Sequence, residues 1–316
     1  MKKLIVSTSP HIHSKATTQR IMADVLIALA PATVASVVLF GLPALYIIIA
    51  CVLSSIFAEA AFNLIVKKKQ TVGDLSCAVT GLLLALSVPA TAKIWQCVIG
   101  AVFAIIVVKC LFGGIGCNFA NPAVTARIFV LLSFADMGGG AITRFMDREL
   151  YAGATPLEIM GSGRPLSHLP SFTDMLLGNR AGAIGETCAI ALIIGFVYLV
   201  ARRVIKWQVP VIFVATVFVI SLVAKQDVTF ALYQMLSGGL IIGAVFMATD
   251  YVTSPLSTRG KMVFALGCGI LTAVIRLWGS YPDGVSFAIL IMNILSPYIE
   301  KLCAKRPLGG KKNDKE

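Results

Sequence analysis

Ten apolar runs restrict this chain of 316 residues to one environment. They span residues 21–40, 42–66, 75–88, 94–112, 121–134, 184–205, 209–223, 228–248, 262–279 and 285–302. Crossing a hydrocarbon core of about 30 Å takes about 20 apolar helical residues, and several runs are near that length. No soluble core of this size needs so much apolar surface: 58% of residues are hydrophobic and 13% charged, with a mean hydropathy of +0.88. The sequence therefore predicts an all-α polytopic membrane protein of about ten transmembrane helices. The third, fifth and seventh runs are short, a pattern expected of broken helices facing an interior site. The first 20 residues, with Lys2, Lys3, His11, His13, Lys15 and Arg20, are too polar for a signal peptide. The run from Ile21 is accordingly read as a retained helix.

The net charge of +12 invites a nucleic-acid reading, which the positions of the charges make unnecessary. Lys67, Lys68 and Lys69 follow the second run; Arg202, Arg203 and Lys206 follow the sixth; Arg259 and Lys261 precede the ninth. Lys301, Lys305, Arg306, Lys311, Lys312 and Lys315 close the chain. With ten helices these fall on one side together with both termini, and the positive-inside rule makes that side the cytoplasm. Residues 138–182 then lie outside, where Arg144, Arg148, Arg164 and Arg180 are offset by Asp147, Glu149, Glu158 and Asp174. The expected organisation is a cytoplasmic tail (1–20), a five-helix repeat (21–135), a long extracytoplasmic loop (136–183), a second five-helix repeat (184–304) and a cytoplasmic tail (305–316). An odd number of helices per half makes the repeats inverted. A shift of 167 places Ser87 on Ser254, Gly100 on Gly267 and Lys109 on Arg276.

Thr155 stands out in the long polar loop, in Tyr151-Ala152-Gly153-Ala154-Thr155-Pro156-Leu157. Gly153 permits close approach of a backbone or ligand, and Pro156 biases Thr155 toward an extended conformation that presents its hydroxyl. Arg144, Arg148 and Arg164 are near enough in sequence to pair a phosphate. The plainer alternative is a turn residue in a solvated loop. Charged groups within or near the apolar runs (Asp24, Glu59, Lys109, Arg127, Glu186, Asp250, Arg276) are expensive in lipid and face the interior or a partner. Asp24, Glu186 and Asp250 are near run ends and are read as interhelical pairs or snorkelling groups, with Asp250 also kept as a candidate for an ion or flavin environment. For Glu59 and Lys109, an ion or flavin environment and an interhelical pair stay equally open. The turn from Gly113 to Asn121 precedes a short helix opening on Asn121-Pro122. It either faces an anion or polar flavin edge with Asn118 and Asn121, or is a tight turn that needs its glycines for packing. Eight scattered cysteines include no Cys-x-x-Cys, so no disulfide framework or metal site is expected. His11 and His13 lack a third ligand and are read as a contact with a neighbouring subunit.

Several motifs give these features a common meaning. Ala152-Gly153-Ala154-Thr155 resembles the Ser-Gly-Ala-Thr flavinylation motif, with Ala152 where Ser is usual and Glu149 where Asp is commoner. Ser9-Pro10-His11-Ile12-His13-Ser14, Arg20-Ile21-Met22 and Ala30-Pro31-Ala32 resemble the N-terminus of the NqrB/RnfD family. Gly113-Gly114-Ile115-Gly116-Cys117-Asn118 with Asn121-Pro122-Ala123 is similar to its Gly-rich turn, and Phe246-Met247-Ala248-Thr249-Asp250 with Thr253-Ser254-Pro255 to its second-half motif. The short N-terminus is closer to the RnfD branch than to the longer NqrB. The resemblance implies the RnfD component of an Rnf complex in a bacterial plasma membrane. Such a complex moves electrons between ferredoxin and NAD, coupled to Na⁺ or H⁺ translocation. FMN would be joined through its phosphate to Thr155 by a dedicated flavin transferase, with Gly153 and Ala154 part of the motif. RnfG, itself a flavoprotein, would supply electrons, and RnfA, RnfB, RnfC and RnfE would complete the assembly. The family is also expected to hold a second, non-covalent riboflavin, for which no residues here are assigned. On this reading no side chain is catalytic, because the flavin carries the redox chemistry. The alternative is an inverted-repeat secondary transporter or channel without a flavin. A lipid-processing enzyme lacks any acid/base or nucleophile motif.

Overall fold

A computed structural model describes residues 17–143, 150–165, 168–279, 281 and 283–303. His11 and His13, Arg144, Asp147, Arg148, Glu149 and the basic C-terminal tail beyond Cys303 lie outside the described residues.

Each apolar run forms helix. Helix α1 (Thr18–Phe40) starts where the Thr17 hydroxyl accepts from the Arg20 N–H and stops at Gly41, whose φ of 70° a β-carbon would disfavour. It is followed by α2 (Leu42–Ile65), α3 (Ser76–Ser87), α4 (Ile94–Phe103), α5 (Pro122–Ser133), and the short α6 (Pro156–Gly161) and α7 (Phe172–Leu177). Then come α8 (Ala189–Ala201), α9 (Gln208–Lys225), α10 (Val228–Leu236), α11 (Leu240–Ile242), α12 (Thr258–Trp278) and α13 (Val285–Cys303). Helices α4 and α11 continue as π-helix, over Ala104–Cys110 and Gly243–Met247.

Among the described residues, five helices (α1, α2, α9, α12 and α13) are long and apolar enough to cross a membrane, and the α10–α11 pair makes a sixth if counted as one broken span. That pair bends by 62°. Ser237 ends α10 in an extended conformation and Gly238 takes φ +62°, so the helix cannot continue through the break. Helices α3, α4 with its π extension, α5 and α8 are apolar and between 10 and 17 residues long.

Two expectations about run length need correction. The seventh run is not short: α9 has 18 residues. The sixth is instead shortened to 13, because residues 184–188 fold back on α3. There the N–H groups of Ile184 and Gly185 donate to the carbonyls of Val88 (2.9 Å) and Leu86 (2.7 Å). Ile184 is fully buried there, so its apolarity marks burial, not helix. The apolar runs are helical as expected, and the polar loop adds a small antiparallel ribbon. It pairs β1 (Gly140–Thr143) with β2 (Leu150–Gly153), in register Gly140 to Gly153.

Within the bundle, α1 packs on α8, α2 on α3 and α4, α9 on α10 and α12, and α13 on α12 and α5. Small residues let the backbones touch. A β-carbon on Gly195 of α8 would collide with the Ala28 carbonyl of α1, and one on Gly81 of α3 would lie 2.7 Å from the Cys51 carbonyl of α2. At the basic end, Arg202 binds Asp24 (3.2 Å), tying α8 to α1, and Lys206 donates to the Thr258 hydroxyl. The described residues between 134 and 188 occupy the opposite end, where the Ser36 hydroxyl donates to the Ile184 carbonyl (2.8 Å).

Candidate functional sites at the two ends of the bundle

Thr155 sits at the loop end as the N-cap of α6. Its φ of −70° and ψ of 154° are the extended conformation that the following proline favours. The hydroxyl accepts from the Glu158 N–H (3.2 Å), while the Glu158 carboxylate accepts from the Thr155 N–H (2.8 Å). This reciprocal capping box fixes the side chain and gives local meaning to Thr155 and Glu158 at once. Thr155 is half-buried and Ala154 exposed. The close approach anticipated at Gly153 is made by backbone, since Gly153 pairs with Gly140 across the ribbon. Arg164 is exposed.

Beneath Thr155, glycines from three distant parts of the chain converge. A β-carbon on Gly140 would lie 2.6 Å from the Thr155 methyl and 2.9 Å from the Gly182 nitrogen; one on Gly182 would lie 2.8 Å from Glu186 Oε1. One on Gly238 would lie 2.5 Å from Leu157, 2.9 Å from Arg276 Nη2 and 3.1 Å from Asp283 Oδ1. These contacts join Thr155 to an ionic cluster whose members are scattered in the sequence. Arg276 binds Asp283 (3.2 Å) and donates to the carbonyls of Gln234 (2.8 Å) and Ser237 (2.9 Å), closing the C-terminus of α10. Arg180, 2% exposed, donates to the carbonyls of Glu186 (2.7 Å) and Thr187 (3.3 Å). Arg127 donates to the Met137 carbonyl (3.1 Å) and lies within electrostatic range of Glu186 and Asp283. Glu186, expected as a simple pair or snorkelling group, belongs to this cluster. Sequence reasoning does not single out Gly140, Gly182, Gly238, Gln234 or Asp283, and no local motif marks them.

The remaining candidates meet at the basic end. Glu59 of α2 and Lys109 of the π segment form an ion pair of 2.6 Å, with side chains 2% and 3% exposed. Glu59 also accepts from the Thr71 hydroxyl (2.5 Å), and Lys109 donates to the Ser76 hydroxyl (2.6 Å), which donates to Asp74 (2.5 Å). The interhelical-pair reading of Glu59 and Lys109 is thus realised in geometry, within a continuous polar chain. Thr71, Asp74 and Ser76 join it without any signal in the sequence.

Lys109, Asn118, Asn121 and Asp250 line one cavity of about 90 Å³, to which both π segments contribute. Asn121 caps α5, accepting from the N–H groups of Ala123 (3.0 Å) and Val124 (3.4 Å), and donates to the Met247 carbonyl (3.3 Å). The α5 N-terminus is therefore already satisfied by its own cap. Gly113, Gly114 and Gly116 have φ between 92° and 119°, the backbone of a tight turn that needs glycine. The Asn118 side-chain oxygen is buried without a partner among the described residues. Asp250 accepts from the Val252 N–H and the Thr253 hydroxyl, and burial pushes its carboxyl above the usual range. The neighbouring Tyr251 phenol is pushed up to about 12 by the same cause. The described residues contain no group of three or more His, Cys, Asp or Glu able to hold a metal.

Comparison with known proteins places these features in a family. Residues 5–309 match the NQR2, RnfD, RnfE family. The chain is 43% identical, over 99% of its length and 98% of the relative's, to the D subunit of the Na⁺-translocating ferredoxin:NAD⁺ oxidoreductase complex of Acetobacterium woodii. It is 36% identical to the D subunit of the proton-translocating ferredoxin:NAD⁺ oxidoreductase complex of Clostridium ljungdahlii, over 94% of this chain and 93% of that one. It is 35% identical to the D subunit of an ion-translocating oxidoreductase complex of Stutzerimonas stutzeri, over 93% of each.

Proposed function

The chain belongs to the NQR2, RnfD, RnfE family, and from that premise we propose that it is the RnfD component of an ion-translocating ferredoxin:NAD⁺ oxidoreductase, relaying electrons through FMN held covalently on Thr155. It acts as one subunit of a membrane oxidoreductase, alongside RnfA, RnfB, RnfC, RnfE and RnfG, after a flavin transferase has loaded the FMN.

One observation carries the flavin assignment. Thr155 Oγ acts as an acceptor in the capping box. A phosphoester bond replaces the hydroxyl proton and leaves the oxygen's lone pairs facing the Glu158 N–H, so the attachment is compatible with the fold of α6. Ala152 and Glu149, which depart from the usual motif, contribute no atom to the ester. FMN supplies the electron transfer when bound. The protein's part would be to hold it on Thr155 at a capped helix start, which packs through Gly140 and Gly182 onto a fixed ionic cluster.

We take the ten apolar helices as two inverted repeats with both termini cytoplasmic. Shifting the first half by 167 carries α1 onto α8, α2 onto α9, α3 onto the π segment after α11, α4 onto α12 and α5 onto α13. The contacts of α1 with α8 and of α5 with α13 support that pairing. A secondary transporter shares this architecture and has no use for a flavinylated threonine. The deciding experiment is in-gel flavin fluorescence of the denatured chain, co-expressed with the transferase. Fluorescence is expected in wild type and lost in Thr155→Val, with ferredoxin-to-NAD electron flow lost in parallel. A dark wild-type band sinks the assignment, as does normal electron flow in Thr155→Val.

A further inference from the structure

The three guanidinium groups at the loop end are more than the break in α10–α11 needs. Arg276 alone closes α10, yet Arg127 and Arg180 sit in the same electrostatic neighbourhood, where the carboxylates among the described residues are Glu186 and Asp283. With both carboxylates ionised these five described residues carry one more positive than negative charge, and burial beside Asp283 pushes the Glu186 carboxyl up, which adds to that excess. Every guanidinium is held by backbone carbonyls at 3.3 Å or less, so the charges are fixed before any ligand arrives. Arg276 Nε is buried without a partner among the described residues, leaving donor capacity unused. Toward Thr155 the cluster is reached through tightly packed glycines: Gly140 lies against the Thr155 methyl and the Gly182 nitrogen, Gly182 against Glu186, and Gly238 against Leu157, Arg276 and Asp283.

We propose that this buried cluster of Arg127, Arg180, Arg276, Glu186 and Asp283 sets the redox potential of the flavin carried on Thr155, its excess guanidinium charge favouring the reduced, anionic ring. The inference rests on the flavin assignment above. Reduction takes two electrons from a reduced flavoprotein donor and one proton from solvent, and leaves the ring with one more negative charge than before. A net positive field in a low-dielectric setting stabilises that product over the oxidised ring. The carboxylates hold the field in check, which gives the cluster opposing handles. Arg276 and Glu186 are positioning residues here; they act on the flavin through charge.

The test uses the full-length chain, co-expressed with the transferase and purified in detergent, with anaerobic dithionite titration against a reference dye. Covalent flavin is counted by in-gel fluorescence. A unit charge at about 10 Å in an effective dielectric of about 20 changes an equilibrium ratio about tenfold. Arg276→Gln and Arg127→Gln are expected to make the flavin harder to reduce, each shifting the oxidised-to-reduced ratio at fixed potential about tenfold toward oxidised. Glu186→Gln, which keeps the acceptor for the Ala183 N–H, shifts it in the opposite direction. A merely structural role lowers flavin occupancy or yield without this opposition of sign. Because Arg276 also closes α10, Arg127→Gln and Glu186→Gln decide the matter if Arg276→Gln does not accumulate. Normal fluorescence with ratios unmoved, or moved the same way by Arg127→Gln and Glu186→Gln, overturns the proposal and leaves the flavin assignment standing. A dark wild-type chain overturns both.

Discussion

Replacing Lys109 by Met should destabilise the protein far more than its modest change in size suggests. Lys109 Nζ and Glu59 Oε2 are 2.6 Å apart, with both side chains almost fully buried. At an effective dielectric of about 20 the pair's attraction is about 6 kcal/mol. Desolvating each ion costs several kcal/mol, so the pair as a whole is close to neutral for stability. Removing one partner keeps the other's desolvation cost and discards the attraction. Lys109→Met therefore costs about 3–5 kcal/mol, and Glu59→Gln a similar amount. The double variant removes both costs together and should regain most of the loss, giving a coupling of several kcal/mol where independent sites add within about 0.5 kcal/mol. The assay is the apparent unfolding midpoint in detergent at one fixed scan rate, followed by the fluorescence of Trp95, Trp207 and Trp278. A Lys109→Met protein that melts with wild type refutes the reasoning, because the Glu59 charge must then have found water. A double variant as unstable as the worse single refutes it too, by showing that packing and not charge is at stake.

Three other contacts give expected outcomes of their own. Asp24→Asn should change the midpoint little, because Arg202 is 43% exposed and such pairs are worth at most about 1 kcal/mol; a loss as large as that of Lys109→Met in the same assay counts against the weak-pair reading. Thr155→Ala should lower the stability of the capped loop by about 1 kcal/mol, while Thr155→Ser, which caps at least as well, should not, read as faster limited proteolysis of the 150–165 segment in the alanine variant alone. Gly195→Leu should separate α1 from α8, since even a β-carbon there would collide with the Ala28 carbonyl and meet Phe246 at 2.9 Å. The cost is about 1–3 kcal/mol or more, and an unchanged yield and midpoint would show that the two helices have room to part.

Much of the scaffold is legible because lipid leaves helices few alternatives. Apolar runs locate the helices, but among the described residues only five, or six with the broken α10–α11 pair, have the length and apolarity of a membrane span where ten were expected, and apolarity also misleads where it serves burial and not helix. Ile184 is the clearest case: it reads as the start of a span, yet its N–H goes to the Val88 carbonyl in a loop. The break at Gly238 is hidden for the opposite reason, since the run through 228–248 stays apolar across a backbone that turns by 62°. The ribbon escapes a sequence reading because its strands are four residues each, too short for an alternating pattern to register.

At the sites, legibility follows sequence locality. Thr155, Gly153 and Pro156 form one stretch, so a capped, presented hydroxyl can be inferred from neighbours alone. Glu59 and Lys109 are each suspect because a charge in an apolar run needs a partner, but 50 residues separate them and neither names the other. The cluster under Thr155 is assembled from positions 127, 180, 186, 276 and 283, on α5, the loop, α12 and the turn before α13. Each residue has a dull local explanation: a charge near a helix end, an arginine in a balanced loop, an aspartate in a turn. What gives them joint meaning is the glycine surface contributed by Gly140, Gly182 and Gly238, which brings them beneath one threonine. Glycine carries no chemistry that a motif search would score, yet a side chain at any of these three positions would push Thr155, Leu157 or Glu186 from its place. Sequence therefore exposes a single presented hydroxyl more readily than a buried ionic cluster, because the first needs one stretch of chain and the second needs the fold.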